Sequence, residues 1–154
     1  MIRYTKVRQS EVFFVKGNSI EVIDLELAIL LRRITSSNKK LGNLDRSAYL
    51  LLHQIISHGP AGVKALAEIL HLDISTVSRQ TAAMEHKGYV YRIPDPSDGR
   101  AYFLQATELG KEEFSESQNL RVAKIGHNLR SWTEEERKLF GELLRKYNTS
   151  AFEE

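Results

Sequence analysis

The sequence predicts a mainly α-helical protein with one small β-hairpin, on three observations. Apolar residues recur at spacings of three and four through long stretches of the chain, the period of helices with a covered face. Residues 63–107 depart from that pattern: a short helix, a tight turn and a second helix are followed by strand-like alternation from Tyr89 to Ala106, interrupted by Asp95-Pro96-Ser97-Asp98-Gly99-Arg100. The bulk numbers agree, since 154 residues with 42% hydrophobic and 27% charged side chains suit a single domain with a real core.

The elements follow in order. Val12-Phe13-Phe14-Val15 is a short apolar run that suits either a strand or an arm packed on another subunit. Gly17-Asn18-Ser19 breaks the chain and caps a helix over 19–42, whose stripe is Ile20, Ile23, Leu27, Leu30 and Ile34. Val22, Leu25, Ile29 and Leu31 lie off that stripe, so the helix needs cover on two sides, one of which invites a second subunit. Asp45 caps a helix from Arg46 to Ser57, and His58-Gly59-Pro60 ends it, because proline cannot continue a helix. Next come Val63 to Leu70, the turn His71-Leu72-Asp73, and a helix from Ile74 that Asp73 is expected to cap. After the hairpin, Thr107 caps a long helix from Glu108 towards Arg130, and Thr133 with Glu136 has capping-box spacing for a last helix through Tyr147.

The second helix of the pair divides its side chains tellingly. At about 100° per residue, Ile74, Val77, Thr81 and Met84 fall on one face, expected to meet the core. The opposite face collects Ser75, Thr76, Arg79, Ala82, Ala83 and His86, with Ser78 at the border. Short hydroxyls and methyls let a helix backbone approach base edges, Ala83 can touch a thymine methyl, and Arg79 can bond guanine or a phosphate. Ser75, Thr76 and Ser78 suit phosphate or base contacts near the helix N-terminus, and Lys64 suits a phosphate contact from the preceding helix. At the hairpin tip Asp98 is expected to brace the Arg100 guanidinium, and an arginine held there fits a narrow, electronegative minor groove. A helix pair with this turn, followed by such a hairpin, is a winged helix–turn–helix.

Charge has to be read locally. The chain carries a net +2, and over residues 61–105 five basic and five acidic side chains cancel. Residues 1–46 hold nine basic against five acidic side chains, which suits either a basic N-terminal surface or an ordinary solvated face. Zero cysteines exclude disulfides, cysteine-ligated zinc and thiol redox sensing. Five histidines without an i, i+4 pair give no metal motif, so neither metal nor cofactor is expected. No phosphate-cradling glycine loop or nucleophile elbow points to an enzyme. No run reaches bilayer-spanning length and no apolar block follows Met1, so a cytoplasmic protein without membrane contact is expected.

The segment Gly59 to Gly110 resembles the winged helix–turn–helix core of the MarR family of bacterial transcription regulators. The resemblance is carried by Leu72-Asp73-Ile74-Ser75-Thr76-Val77-Ser78-Arg79, Lys87-Gly88-Tyr89-Val90, Asp95-Pro96-Ser97-Asp98-Gly99-Arg100-Ala101 and Leu104-Gln105-Ala106-Thr107-Glu108-Leu109-Gly110, blocks that span about a third of the chain. One departure is that Ser97 stands where many family members carry a second basic residue, leaving fewer cations on the wing. The resemblance implies that Arg100 enters the minor groove. It also implies a single domain, with the DNA-binding module at 45–107 and dimerisation helices at 19–42 and 108–152. The apolar stripes Leu120, Ile125, Leu129 and Trp132, and Leu139, Phe140, Leu143, Leu144 and Tyr147, exceed what the module needs and suit a homodimer.

Together these readings predict a dimeric, sequence-specific regulator binding double-stranded DNA at a pseudo-palindromic operator. Its DNA contacts are expected from Lys64, Ser75, Thr76, Ser78, Arg79, Ala83, Asp98 and Arg100. The resemblance further implies a repressor relieved by a small-molecule effector, with Arg32, Tyr49 and His53 as the candidate effector residues. The alternative is a winged-helix module for protein–protein contact without DNA, for which the cancelled charge of residues 61–105 speaks.

Overall fold

A computed structural model of the chain describes residues 18–36 and 42–150, with the side chains of Thr35 and Ser36 left aside. The Val12–Val15 run and the rest of the basic segment before Asn18 lie outside the described residues. The chain divides into two compact units, residues 1–39 and 40–154. The first contains helix α1, Ser19–Ser36. Asn18 starts it, its Oδ1 accepting the Ile20 amide at 3.2 Å. Ile20, Ile23, Leu25, Ile29, Leu30, Leu31 and Ile34 are all exposed, so α1 is apolar around most of its circumference, as its sequence demands. The expected continuation falls on residues 37–41, which are not described, and its expected end, Gly42, is a bend with φ 78° and not helical.

The second unit contains α2 (Arg46–His58), α3 (Val63–Leu70), α4 (Ile74–His86), β1 (Val90–Pro94), β2 (Tyr102–Ala106), α5 (Glu108–Asn128) and α6 (Glu134–Ser150). Asp45 caps α2 as expected, accepting the Ala48 amide at 2.8 Å. Leu51, Leu52 and Ile55 of α2 are buried with Leu66 of α3, Val77 and Met84 of α4, Val90 and Leu104 of the hairpin, and Phe114 of α5. α2 therefore lies at the centre, and replacing one of these leucines by alanine would cost about 2–5 kcal/mol.

The hairpin is antiparallel in the register Val90↔Ala106, Arg92↔Leu104 and Pro94↔Tyr102. A bridge the sequence gave no sign of extends it: Ala61 and Leu104 exchange backbone bonds of 3.3 and 2.9 Å. The base of the wing is locked to α5 by Thr107. Its Oγ1 donates to the Gly88 carbonyl at 2.6 Å and accepts the Gly110 amide at 2.9 Å, while its own amide donates to the Tyr89 carbonyl at 3.0 Å. Gly110 packs so close that a Cβ there would meet the Tyr89 carbonyl, which gives a physical reason for glycine at that position. The reciprocal capping box of α6 forms as its spacing predicts, Thr133 N to Glu136 Oε2 at 2.8 Å and Glu136 N to Thr133 Oγ1 at 3.2 Å.

Candidate nucleic-acid interface

α4 buries Val77, Thr81 and Met84 and leaves Ser75, Ser78, Arg79, Ala82, Ala83 and His86 exposed. The exposed face is continuous, short in side chain, and carries one arginine. Thr76, expected outward, is half-buried, whereas Ser78, expected at the border, is exposed. Ile74 departs from its expected place on the core face and is 54% exposed. Its angle around the helix is on the core side, but it stands in the first turn, ahead of the first buried position at Val77. The Asp73 side chain makes no cap bond, contrary to expectation; the residue is extended and only its carbonyl enters the helix, accepting the Val77 amide at 3.0 Å.

The turn into α4 has its own device. His71 takes the left-handed conformation, φ 51°, at the end of α3, and its amide reaches the carbonyls of Ala67 and Glu68. Leu72 then donates to the Ala67 carbonyl at 2.9 Å, which closes the turn and fixes the angle between the two helices.

The wing corrects a second expectation. Asp98 does not brace the Arg100 guanidinium; its Oδ1 accepts the Arg100 backbone amide at 2.9 Å. At a separation of two residues in a turn, the amide is nearer than the head of a long side chain, and an Asx turn results. Asp95, which the sequence did not single out, does the same for Ser97, whose amide and hydroxyl lie 2.8 and 2.7 Å from Oδ1. These bonds, the side-chain one first, hold the Asp95 carboxyl below its ordinary pKa. Arg100 stays exposed at the tip.

Lys64 and Arg100 line one open cleft of about 500 Å³ between the start of α3 and the wing, together with Gly62, Asp95 and Tyr102. Among the described residues Lys64, Arg79, Lys87 and Arg100 join no ion pair, while Arg92 is paired to Glu85. The charge balance of residues 61–105 is therefore misleading, because the unpaired cations belong to α3, α4 with its C-cap, and the wing tip.

The residues named for an effector belong to two different units. Tyr49 and His53 on α2 both face Phe114 of α5, with ring centroids at 5.0 and 5.9 Å. Arg121 of α5 lays its guanidinium 4.4 Å over the Tyr49 ring. Buried nearby on α5 are Ser117 Oγ and Arg121 Nε, neither with a hydrogen-bond partner. Phe114, Ser117 and Arg121 were not legible as partners of Tyr49, since the pairing of α2 with α5 is long-range. Arg32 belongs to α1 in the other unit.

An uncovered second helix of small hydroxylated side chains, with a two-stranded wing beside it, defines a winged helix–turn–helix of the DNA-binding class. The MarR family model matches residues 44–102. YxaD of Bacillus subtilis (strain 168), described as an uncharacterized HTH-type transcriptional regulator, is 46% identical over 134 residues, spanning 85% of this chain and 94% of that protein. A MarR family protein from Bacillus stearothermophilus shares the fold with a TM-score of 0.70 at 21% identity, covering 88% of this chain and 98% of that one. The PcaV regulator of Streptomyces coelicolor, solved in complex with its natural ligand, gives 0.64 at 19% identity, with 92% and 99% covered. The chain belongs to the MarR family. It is a DNA-binding transcriptional regulator of helix–turn–helix type. Among the described residues no helix is long and apolar enough to cross a membrane.

Proposed function

We propose that the chain acts as a homodimer on a pseudo-palindromic operator, as a repressor whose DNA affinity falls when a small molecule binds. The observation that carries the DNA reading is the exposed face of α4. Ser75, Ser78, Arg79 and Ala83 enter the major groove, Thr76 contributes from its half-buried position at the N-terminal turn, and Lys64 contacts phosphate. Arg100 enters the minor groove from a wing tip whose backbone Asp98 shapes.

Dimerisation draws on apolar surface that the DNA-binding module does not use. Leu139, Phe140, Leu143 and Tyr147 are exposed along α6, and the segments 19–42 and 108–152, which flank the module at 45–107 in sequence, would supply the interface. A two-fold pair doubles the phosphate contacts and reads two half-sites about one helical turn apart. The effector reading draws on Tyr49 and His53 around Phe114. PcaV, whose fold is shared, was solved with a ligand bound.

The test is selection of duplexes from a random library by the full chain, followed by titration of the best duplex at rising salt. Retention of one sequence family with two related halves supports the proposal. Failure to retain any duplex at low ionic strength contradicts it.

A further inference from the structure

Arg92 is a wing cation whose guanidinium is already engaged within the protein. Its Nε and Nη2 lie 3.0 and 2.9 Å from Glu85 Oε2 on α4, and its plane sits 4.3 Å from the ring centroid of Tyr102 on β2. Tyr102 is the diagonal neighbour of Arg92 across the strand pair, since Arg92 faces Leu104 and Pro94 faces Tyr102. One side chain on β1 thus touches the last turn of α4 and the opposite strand together. Both partners of the ion pair are partly exposed, so the pair contributes little to stability. Its geometry is what matters, because a two-stranded ribbon is marginal alone and the Ala61 bridge meets it at Leu104, tip-ward of which lie only two more residue pairs, Ile93↔Phe103 and Pro94↔Tyr102.

We propose that Arg92 is a positioning residue for DNA recognition: by clamping Glu85 of α4 to Tyr102 of β2, it sets the angle at which the wing presents Arg100 relative to the exposed face of α4. This role rests on the DNA-binding reading above. A planar fork that stacks and donates two bonds does this, and a lysine ammonium does not.

The experiment is a double-mutant cycle on the duplex selected by the wild-type full chain, with urea melts run on every variant. Arg100→Ala weakens binding about tenfold, the loss of one good arginine contact. Arg92→Ala is expected to weaken it by a similar factor, and the double variant to remain near tenfold instead of the hundredfold of independent losses. Arg92→Lys should behave as Arg92→Ala. Should Arg92→Ala melt the fold, Glu85→Gln keeps the shape and cuts the clamp, and it carries the same cycle. Multiplying losses, an unchanged affinity, or full rescue by Arg92→Lys would each overturn the role. If the wild type retains no duplex, the DNA function itself fails and this role with it, a result distinct from an additive cycle.

Discussion

Adding one methyl group at Gly110 tests how the DNA-binding module is fastened to α5. Helix propensity alone favours Gly110→Ala by about 1 kcal/mol. The packing opposes it. A Cβ there would lie 2.9 Å from the carbonyl carbon and 3.2 Å from the Cα of Tyr89, and closer still to its oxygen. These are backbone atoms, so no side-chain rotation relieves the overlap, and overpacking of this kind costs about 1–3 kcal/mol. The same carbonyl accepts the Thr107 amide at 3.0 Å, and displacing it weakens that bond at a further cost of about 1–3 kcal/mol. The net is a destabilisation of about 3 kcal/mol, a fall in Tm of about 6–12 °C for a chain of this size. Gly126 on the same helix is the control, since a Cβ there meets nothing within 4 Å and Gly126→Ala should stabilise by about 0.5–1 kcal/mol. Urea and thermal melts followed by circular dichroism read both. A Gly110→Ala protein as stable as the control variant would refute the close-approach argument.

Other consequences are equally direct. Arg79→Ala should cost about 1–3 kcal/mol of binding and flatten base preference at one position, and equal losses on specific and random duplex would contradict base reading. Lys64→Ala should weaken all sequences alike and lower the salt slope by about 1, read by titration at several ionic strengths. Asp95 has a lowered pKa in the folded chain, so its contribution is present above the ordinary carboxylate value and is lost as pH falls through the lowered one. The Ser97 amide should therefore lose hydrogen-exchange protection on acidification, and Asp95→Asn should remove most of that pH dependence. Leu143→Glu, on the exposed stripe of α6, should shift sedimentation from dimer towards monomer while leaving the circular dichroism spectrum helical.

Periodicity made most of this architecture readable, and its failures are informative. Val77, Thr81 and Met84 gave away the buried side of α4 because they share one angle around the helix; Ile74 shares that angle too, yet stands in the first turn and is exposed. Caps announced by Asp45, Thr107 and Thr133 formed because each residue precedes a helix with free amides. Asp73 has the same residue type and position, but its side chain makes no such bond. Asp98 was misread through chemistry, since opposite charges two residues apart suggest an ion pair where the turn offers an amide. The Ala61–Leu104 bridge and the cluster of Tyr49, Phe114 and Arg121 join segments far apart in sequence, and no local pattern encodes such pairs.

Site-specific blocking of α4 tests the central claim most directly, and the absence of cysteine from the sequence makes it clean. Ala83→Cys, on the exposed face, should bind the selected duplex nearly as the wild type does before labelling. A bulky maleimide at that position should abolish binding, whereas the same adduct at Ser115→Cys on the exposed side of α5 should leave it intact. Undiminished affinity with the adduct on residue 83 would mean that this face does not enter DNA.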